Sequence, residues 1–438
     1  MMLRQLGCRP AGAVSDVFVR PAEQQAAYDF LENDLISAED VQAAASRAIA
    51  RLCGGYESVL LALDGSSFSL TDQTGEKGFG SIGTRSQGAR GLKVLNALAL
   101  SSAGQTIGVV AQQFWVRGKR VARGHRPLEK RESYRWHQAY DTARAALSKH
   151  APKTRLHVLA DREADATLLM QHIVASGDDF TIRSRGVRKA LVDGRRALVR
   201  PLLLKQEPIA WHTVTIREAG KPERIARLEV RAAHVQLVMR DHHRKSHRTL
   251  LPVTVVWGRE VNAPRGAEPV DWMLYTTAPV KTAEDAVAAL VRYSLRWRIE
   301  DFHRALKSGG GCVEDSQLRS SEAVIKWATF HAIVASRAQR LRDAARITPD
   351  ASASTELSED EIKALVLLKT HEKRRTETVS AEGLTLARAV RWVGDLGGFT
   401  ATGASKKMPG TKVIGRGLER VFEVVHVIHA LRASGEIR

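Results

Sequence analysis

Three acidic residues far apart in the chain, Asp64, Asp161 and Glu300, carry the chemistry this sequence suggests. Asp64 closes the apolar run VLLAL (59–63), and Asp161 closes LHVLA (156–160). Glu300 lies in a helical pattern with Tyr293, Arg296 and Lys307. At about 100° per residue, those four positions share an arc of roughly 60°. Val291, Leu295, Ile299, Phe302 and Leu306 form an apolar stripe across from them. A carboxylate flanked by cations and a phenol, combined with two strand-end acids, suits a metal ion and a phosphate together. Phosphodiester cleavage needs an activated oxygen nucleophile, charge neutralisation and a stabilised leaving alkoxide, and two divalent ions about 3.5–4 Å apart supply all three. Mg2+ takes oxygen ligands and retains several waters, so Asp64, Asp161 and Glu300 suffice as its protein ligands. Arg296, Lys307 and Tyr293 then hold a phosphate by charge-assisted hydrogen bonds. Each residue also has a plain structural reading: surface ion pairs on the helix, a turn residue at Asp64, and a helix N-cap at Asp161.

The elements that must position these residues follow from periodicity. Residues 22–52 carry two helical patterns. Strands are expected at 59–63, 92–101, 106–116, 156–160 and 179–184, with helices at 133–147 and 163–176. This order, with one acid ending the first strand and another ending the fourth, is the layout of a ribonuclease H-like α/β core. Residues 186–268 read as an inserted β region without strong helical signals, ALVRPLLL included. Another strand (271–277) precedes a long helical pattern from Ala283 to Lys307. The expected organisation is a helical region at 1–55, the core at 56–185 and 269–345, the β insertion at 186–268, and a helical region at 346–438.

Composition narrows the partners. The 438 residues include 67 Lys and Arg against 48 Asp and Glu, a net charge of +19, which points to a polyanion such as nucleic acid. Seven of the fifteen residues at 117–131 are basic, marking a mobile basic loop. An apolar content of 44% supports a sizeable core and excludes general disorder. No run approaches the ~18 apolar residues of a membrane span, and the first twenty residues do not read as a secretory signal. Cys8, Cys53 and Cys312 are widely spaced, which excludes a disulfide scaffold and indicates a reducing cytoplasm.

At LADREAD (159–165) and RYSLRWRIEDFHRALKSG (292–309), the sequence resembles the bacterial DDE transposases of the insertion-sequence-4 group. Tyr293, Arg296, Glu300 and Lys307 match that group's Y-x2-R-x3-E-x6-K pattern, beside WRIE-x-FH. The likeness runs from about Ala22 to the C-terminus. It implies catalysis by Asp64, Asp161 and Glu300 with two Mg2+ or Mn2+ ions per active site. It also implies that Trp272 stacks on a base flipped from double-stranded DNA, that Tyr293, Arg296 and Lys307 grip the adjacent phosphate, and that Arg183 contacts DNA. The implied reaction is nicking, hairpin formation and resolution at transposon ends, then strand transfer into target DNA by a homodimer assembled through the C-terminal region. The group's basic end-recognition domain occupies more than the 63 residues preceding Asp64, so the expectation is a truncated copy or a misassigned start. Other readings are a ribonuclease H-like nuclease, a catalytically silent DNA-binding or inhibitory copy, and a zinc protein using His242, His243 and His247.

Overall fold

The computed structural model describes residues 2–436 except 73–74, 84–87, 119–126, 187, 193, 217–221, 241–247, 309–311, 373–376 and 401–407. Lys119, Arg120, Arg123 and Arg126 of the basic segment, and His242, His243 and His247, lie outside the described residues.

The chain opens with helices α1 (Met2–Cys8), α2 (Val14–Val17), α3 (Pro21–Leu31) and α4 (Ala38–Cys53). Strands β1 (Ser58–Ser69), β2 (Gly80–Ser81), β3 (Arg90–Ser101) and β4 (Thr106–Trp115) follow. Next come α5 (Tyr134–His150), β5 (Arg155–Ala160), α6 (Thr167–Ala175) and β6 (Asp179–Arg183). Residues 186–268 form β7 (Lys189–Val192), β8 (Arg195–Leu198), α7 (Val199–Leu204), β9 (Ala210–Ile216), β10 (Arg224–Arg240) and β11 (Arg248–Glu260). β12 (Asp271–Thr276) leads into α8 (Ala283–Ser294), α9 (Arg298–Ser308), α10 (Ser321–Ile347), α11 (Glu359–Glu372), α12 (Leu386–Leu396) and α13 (Thr411–Ala433).

The fold is mixed α/β. Its described strands make one twelve-stranded sheet. β4, β3 and β1 are antiparallel neighbours, while β1, β5 and β6 run parallel. β12 pairs antiparallel with β6, and β11 and β10 extend the sheet beyond it. The strands of residues 186–268 thus continue the same sheet.

Strand side chains alternate between faces, and this decides where the acids point. Val59, Leu61, Leu63, Val158 and Ala160 pack with Ile49 of α4 and with Trp136 and Tyr140 of α5. Leu60, Ala62, Leu159, Val94 and Leu98 pack on the other face with Ile299, Phe302 and Leu306 of α9 and Trp327 of α10. Counting on by two from Ala62 and Leu159 places Asp64 and Asp161 on the α9 side.

Four local expectations need correction. β1 does not end at Asp64. Its parallel pairing with β5 stops at Leu63–Ala160, but its antiparallel pairing with β3 continues to Ser69–Gly91. The helix expected at 163–176 is a 3-10 turn, Arg162–Ala164, followed by α6. The apolar run VRPLLL is helical because Pro201 falls in the first turn of α7, where a missing N–H costs no hydrogen bond. Finally, α8 starts at a Thr282–Asp285 capping box and gives way to a 3-10 turn, Leu295–Trp297, before α9 begins.

The N-terminal helices are pinned to α10. Trp327 Nε1 donates to the Gly12 carbonyl at 2.7 Å, and the buried Lys326 ammonium donates to the Leu31 and Asn33 carbonyls at 3.0 Å each. At the other end of the chain, Leu341, Leu365, Trp392, Val393, Leu418 and Val421 form a separate apolar cluster. The apolar faces of α11–α13 are therefore largely used within the chain. α12 and α13 approach so closely that a Cβ on Gly417 would lie 1.7 Å from the Val393 carbonyl oxygen.

Candidate active site

Asp64 sits on β1 opposite Asn96 of β3, one residue beyond the end of the β1–β5 pairing. Asp161 follows the last residue of β5 and so adjoins it. α9 buries Ile299, Phe302 and Leu306 against the sheet, and this docking turns the start of α9 toward the two aspartates. Arg296 Nη1 lies 3.3 Å from Asp64 Oδ2, and Arg296 Nη2 lies 3.5 Å from Glu300 Oε1. Asp64, Glu300 and His303 each offer a potential ligand atom, all within 4.8 Å of one another.

Asp161 also serves the structural role read from sequence. Its Oδ1 accepts from the Glu163 N–H at 2.8 Å and caps the following 3-10 turn. Asp161 is not among the residues whose ligand atoms lie within 4.8 Å of one another; its charge reaches Asp64 as the smallest of the influences on that carboxyl. Burial pushes the Asp64 carboxyl up to about 7; Arg296 opposes the rise, while Glu300 and Asp161 add to it. Burial sets most of that rise, and the two acidic neighbours add to it.

His303 was missed by the sequence reading. Gln112 Nε2 donates to Asn96 Oδ1 at 2.9 Å, and Asn96 Nδ2 lies 3.0 Å from His303 Nε2. With the Asn96 oxygen accepting from Gln112, its amide nitrogen donates to His303 Nε2. Burial, with the charges of Lys307 and Arg296, lowers the His303 pKa to about 3, so the imidazole is neutral. Its proton then resides on Nδ1, which lies 4.0 Å from Asp64 Oδ2. The available signal was the Glu-x-x-His spacing in IEDFH, which puts both side chains on one helix face.

The remaining expected residues fall into a second group. Tyr293 is buried, and burial raises its phenol pKa; Arg296 and Arg183 oppose that rise. Its ring meets that of Trp272 edge-on, with centroids 5.5 Å apart. Trp272 is half-buried on β12, where it pairs with Gly258. Arg183 Nη2 donates to the Asp271 carbonyl at 3.0 Å. Lys307 is half-buried in the last turn of α9. Tyr293 stays beside Arg296, whose guanidinium carbon lies 6.0 Å from the ring centroid, but it is turned relative to Glu300. Three residues of 3-10 helix turn about 120° each instead of 100°, adding about 60° of rotation between Tyr293 and Glu300. Val291 leaves the apolar stripe and is 43% exposed.

Among the described residues, no helix is long and apolar enough to cross a membrane. No protein-family model matches the chain.

Proposed function

We propose that the chain is a DDE-type DNA transposase whose Asp64, Asp161 and Glu300 hold a pair of Mg2+ or Mn2+ ions. The convergence of Asp64 and Glu300 on Arg296, at 3.3 and 3.5 Å, carries this reading. The donor set fits a hard divalent ion: carboxylate oxygens, partly buried, where burial first and the neighbouring acids second raise Asp64. The strand order β4-β3-β1-β5-β6, an antiparallel set joined to two parallel strands, supports a ribonuclease H-like core. When bound, the ions would activate the attacking oxygen and stabilise the leaving one.

The chain's own residues do the rest. His303, fixed through Asn96 and Gln112, presents Nδ1 to Asp64 Oδ2 at 4.0 Å, on the same helix face as Glu300. Arg296 and Lys307 hold a DNA phosphate, with the Tyr293 hydroxyl beside them. Trp272, braced edge-on by Tyr293, offers an aromatic surface to a flipped base, offsetting the few kcal/mol of unstacking. The net charge of +19 supports a double-stranded DNA partner, both transposon end and target. A homodimer on DNA would let each site act on an end held by its partner. The setting is the bacterial cytoplasm, at the nucleoid.

The test is Mg2+-dependent nicking of a duplex carrying the element's terminal repeat. Asp64→Asn, Asp161→Asn and Glu300→Gln should each abolish nicking while circular dichroism stays unchanged. Nicking retained in all three variants would eliminate the assignment.

A further inference from the structure

We propose that His137, Asp141 and His172 form a second metal site, suited to a borderline transition ion of the zinc class. His137 and Asp141 stand one turn apart on α5, and His172 comes from α6. Trp136, Tyr140, Leu169 and Met170 beside them pack into the α4/α5 face of the sheet, opposite the face that carries Asp64 and Asp161. The two clusters are therefore separated by the sheet.

The donors already converge. His137 Nε2 lies 3.3 Å from Asp141 Oδ2, and His172 Nε2 lies 2.5 Å from Asp141 Oδ1. The imidazole centroids are 4.2 Å apart, and ligand atoms of all three residues lie within 4.8 Å of one another. Zn–N and Zn–O bonds of about 2.0–2.1 Å at tetrahedral angles set neighbouring donors roughly 3.3 Å apart. The His137–Asp141 pair has that spacing. His172 would exchange a hydrogen bond for a coordination bond by withdrawing about 0.8 Å from the carboxylate.

Two imidazoles and one carboxylate make a mixed N/O set, which selects against Mg2+ and for Zn2+, Co2+ or Ni2+. Side-chain exposures of 18% for His137, 46% for Asp141 and 36% for His172 leave a path for the ion and room for a water as fourth ligand. A lone His172–Asp141 hydrogen bond would need no second histidine packed against it. α5 precedes β5, and α6 follows the Asp161 turn, so an ion here would tie together the two helices that bracket Asp161 in the chain.

The test uses the full chain, stripped with a chelator and titrated with Zn2+ against a chromophoric competitor in the presence of excess Mg2+. A parallel titration with Co2+ reads ligand geometry from its visible absorption. Both are repeated in an Asp64→Asn/Glu300→Gln background, which disables the acidic cluster. The expected result is one Zn2+ per chain in either background, with a rise in melting temperature. His137→Gln and His172→Gln should each weaken binding by more than about tenfold, since even outer-shell partners of a metal ligand contribute that much. Asp141→Asn, close in shape, should weaken it as well and abolish the Co2+ band. Absence of stoichiometric Zn2+ binding by the unmodified chain would overturn the proposal without recourse to any variant. Binding that survives both histidine substitutions would overturn it too.

Discussion

Replacing Asp64 by Asn should make the protein more stable at alkaline pH while removing its proposed activity. Burial, Glu300 and Asp161 raise the Asp64 carboxyl from an ordinary 3.8 to about 7, even with Arg296 beside it. At ~1.4 kcal/mol per pH unit, ionising it in the fold costs about 4 kcal/mol more than in the unfolded chain, as a ceiling. The side chain is only 14% exposed, so solvent screening removes little of this. The folded protein keeps the proton to higher pH than the unfolded chain does. The associated stability is thus fully present below 3.8 and is lost as pH rises through about 7. Asn does not ionise, so the Asp64→Asn chain escapes the loss. Urea midpoints measured from pH 5 to 8.5 should show its advantage growing by a few kcal/mol across the range. Mg2+ should narrow the gap by stabilising only the unmodified chain. An advantage that does not change with pH, or a less stable variant at pH 8, would refute the electrostatic account.

Trp272→Ala should slow hairpin formation more than first-strand nicking; equal slowing would argue against base stacking. Lys307→Ala should reduce the slope of log K against log salt for duplex binding by ~0.9, one phosphate contact, and an unchanged slope would exclude that contact. Burial lowers His157, His303 and His331 from 6.5 to about 3. Their stability is complete above 6.5 and is lost as pH falls toward 3, so His157→Gln should move the acid-unfolding midpoint to lower pH; an unmoved midpoint would show that another group controls it. Phe302→Ala should cost about 3–5 kcal/mol by leaving a cavity between α9 and the sheet, measured by urea unfolding, and a cost below 1 kcal/mol would mean that α9 docks some other way.

Local patterns carried much of this fold. Runs such as VLLAL and LHVLA are short, branched and apolar, so they announce buried strands whatever surrounds them, and the α4 capping box at Ser37–Asp40 marks a helix start from four residues. The candidate acids were legible for the same reason, since each follows a short apolar run or lies in a helical pattern of clear period. Two features were less accessible. Pro201 in an apolar run gives no period to separate strand from helix. The 3-10 turn at Leu295–Trp297 leaves the residue spacing unchanged while rotating one half of the helix relative to the other.

Spacing along one element is a property of the chain, and so Arg296, Glu300 and the neglected His303 could be placed on one helix face from residue order alone. Distances between elements are not. Whether Asp64 meets Glu300 depends on α9 burying Phe302 and Leu306 against β1, and whether His303 faces Asp64 depends on Asn96 of the neighbouring strand β3 and Gln112 of β4 beyond it. The meeting of His137 and Asp141 with His172 depends likewise on α5 packing beside α6. Those contacts come from apolar burial, which has no direction of its own, and only the packed sheet and helices turn it into particular pairs.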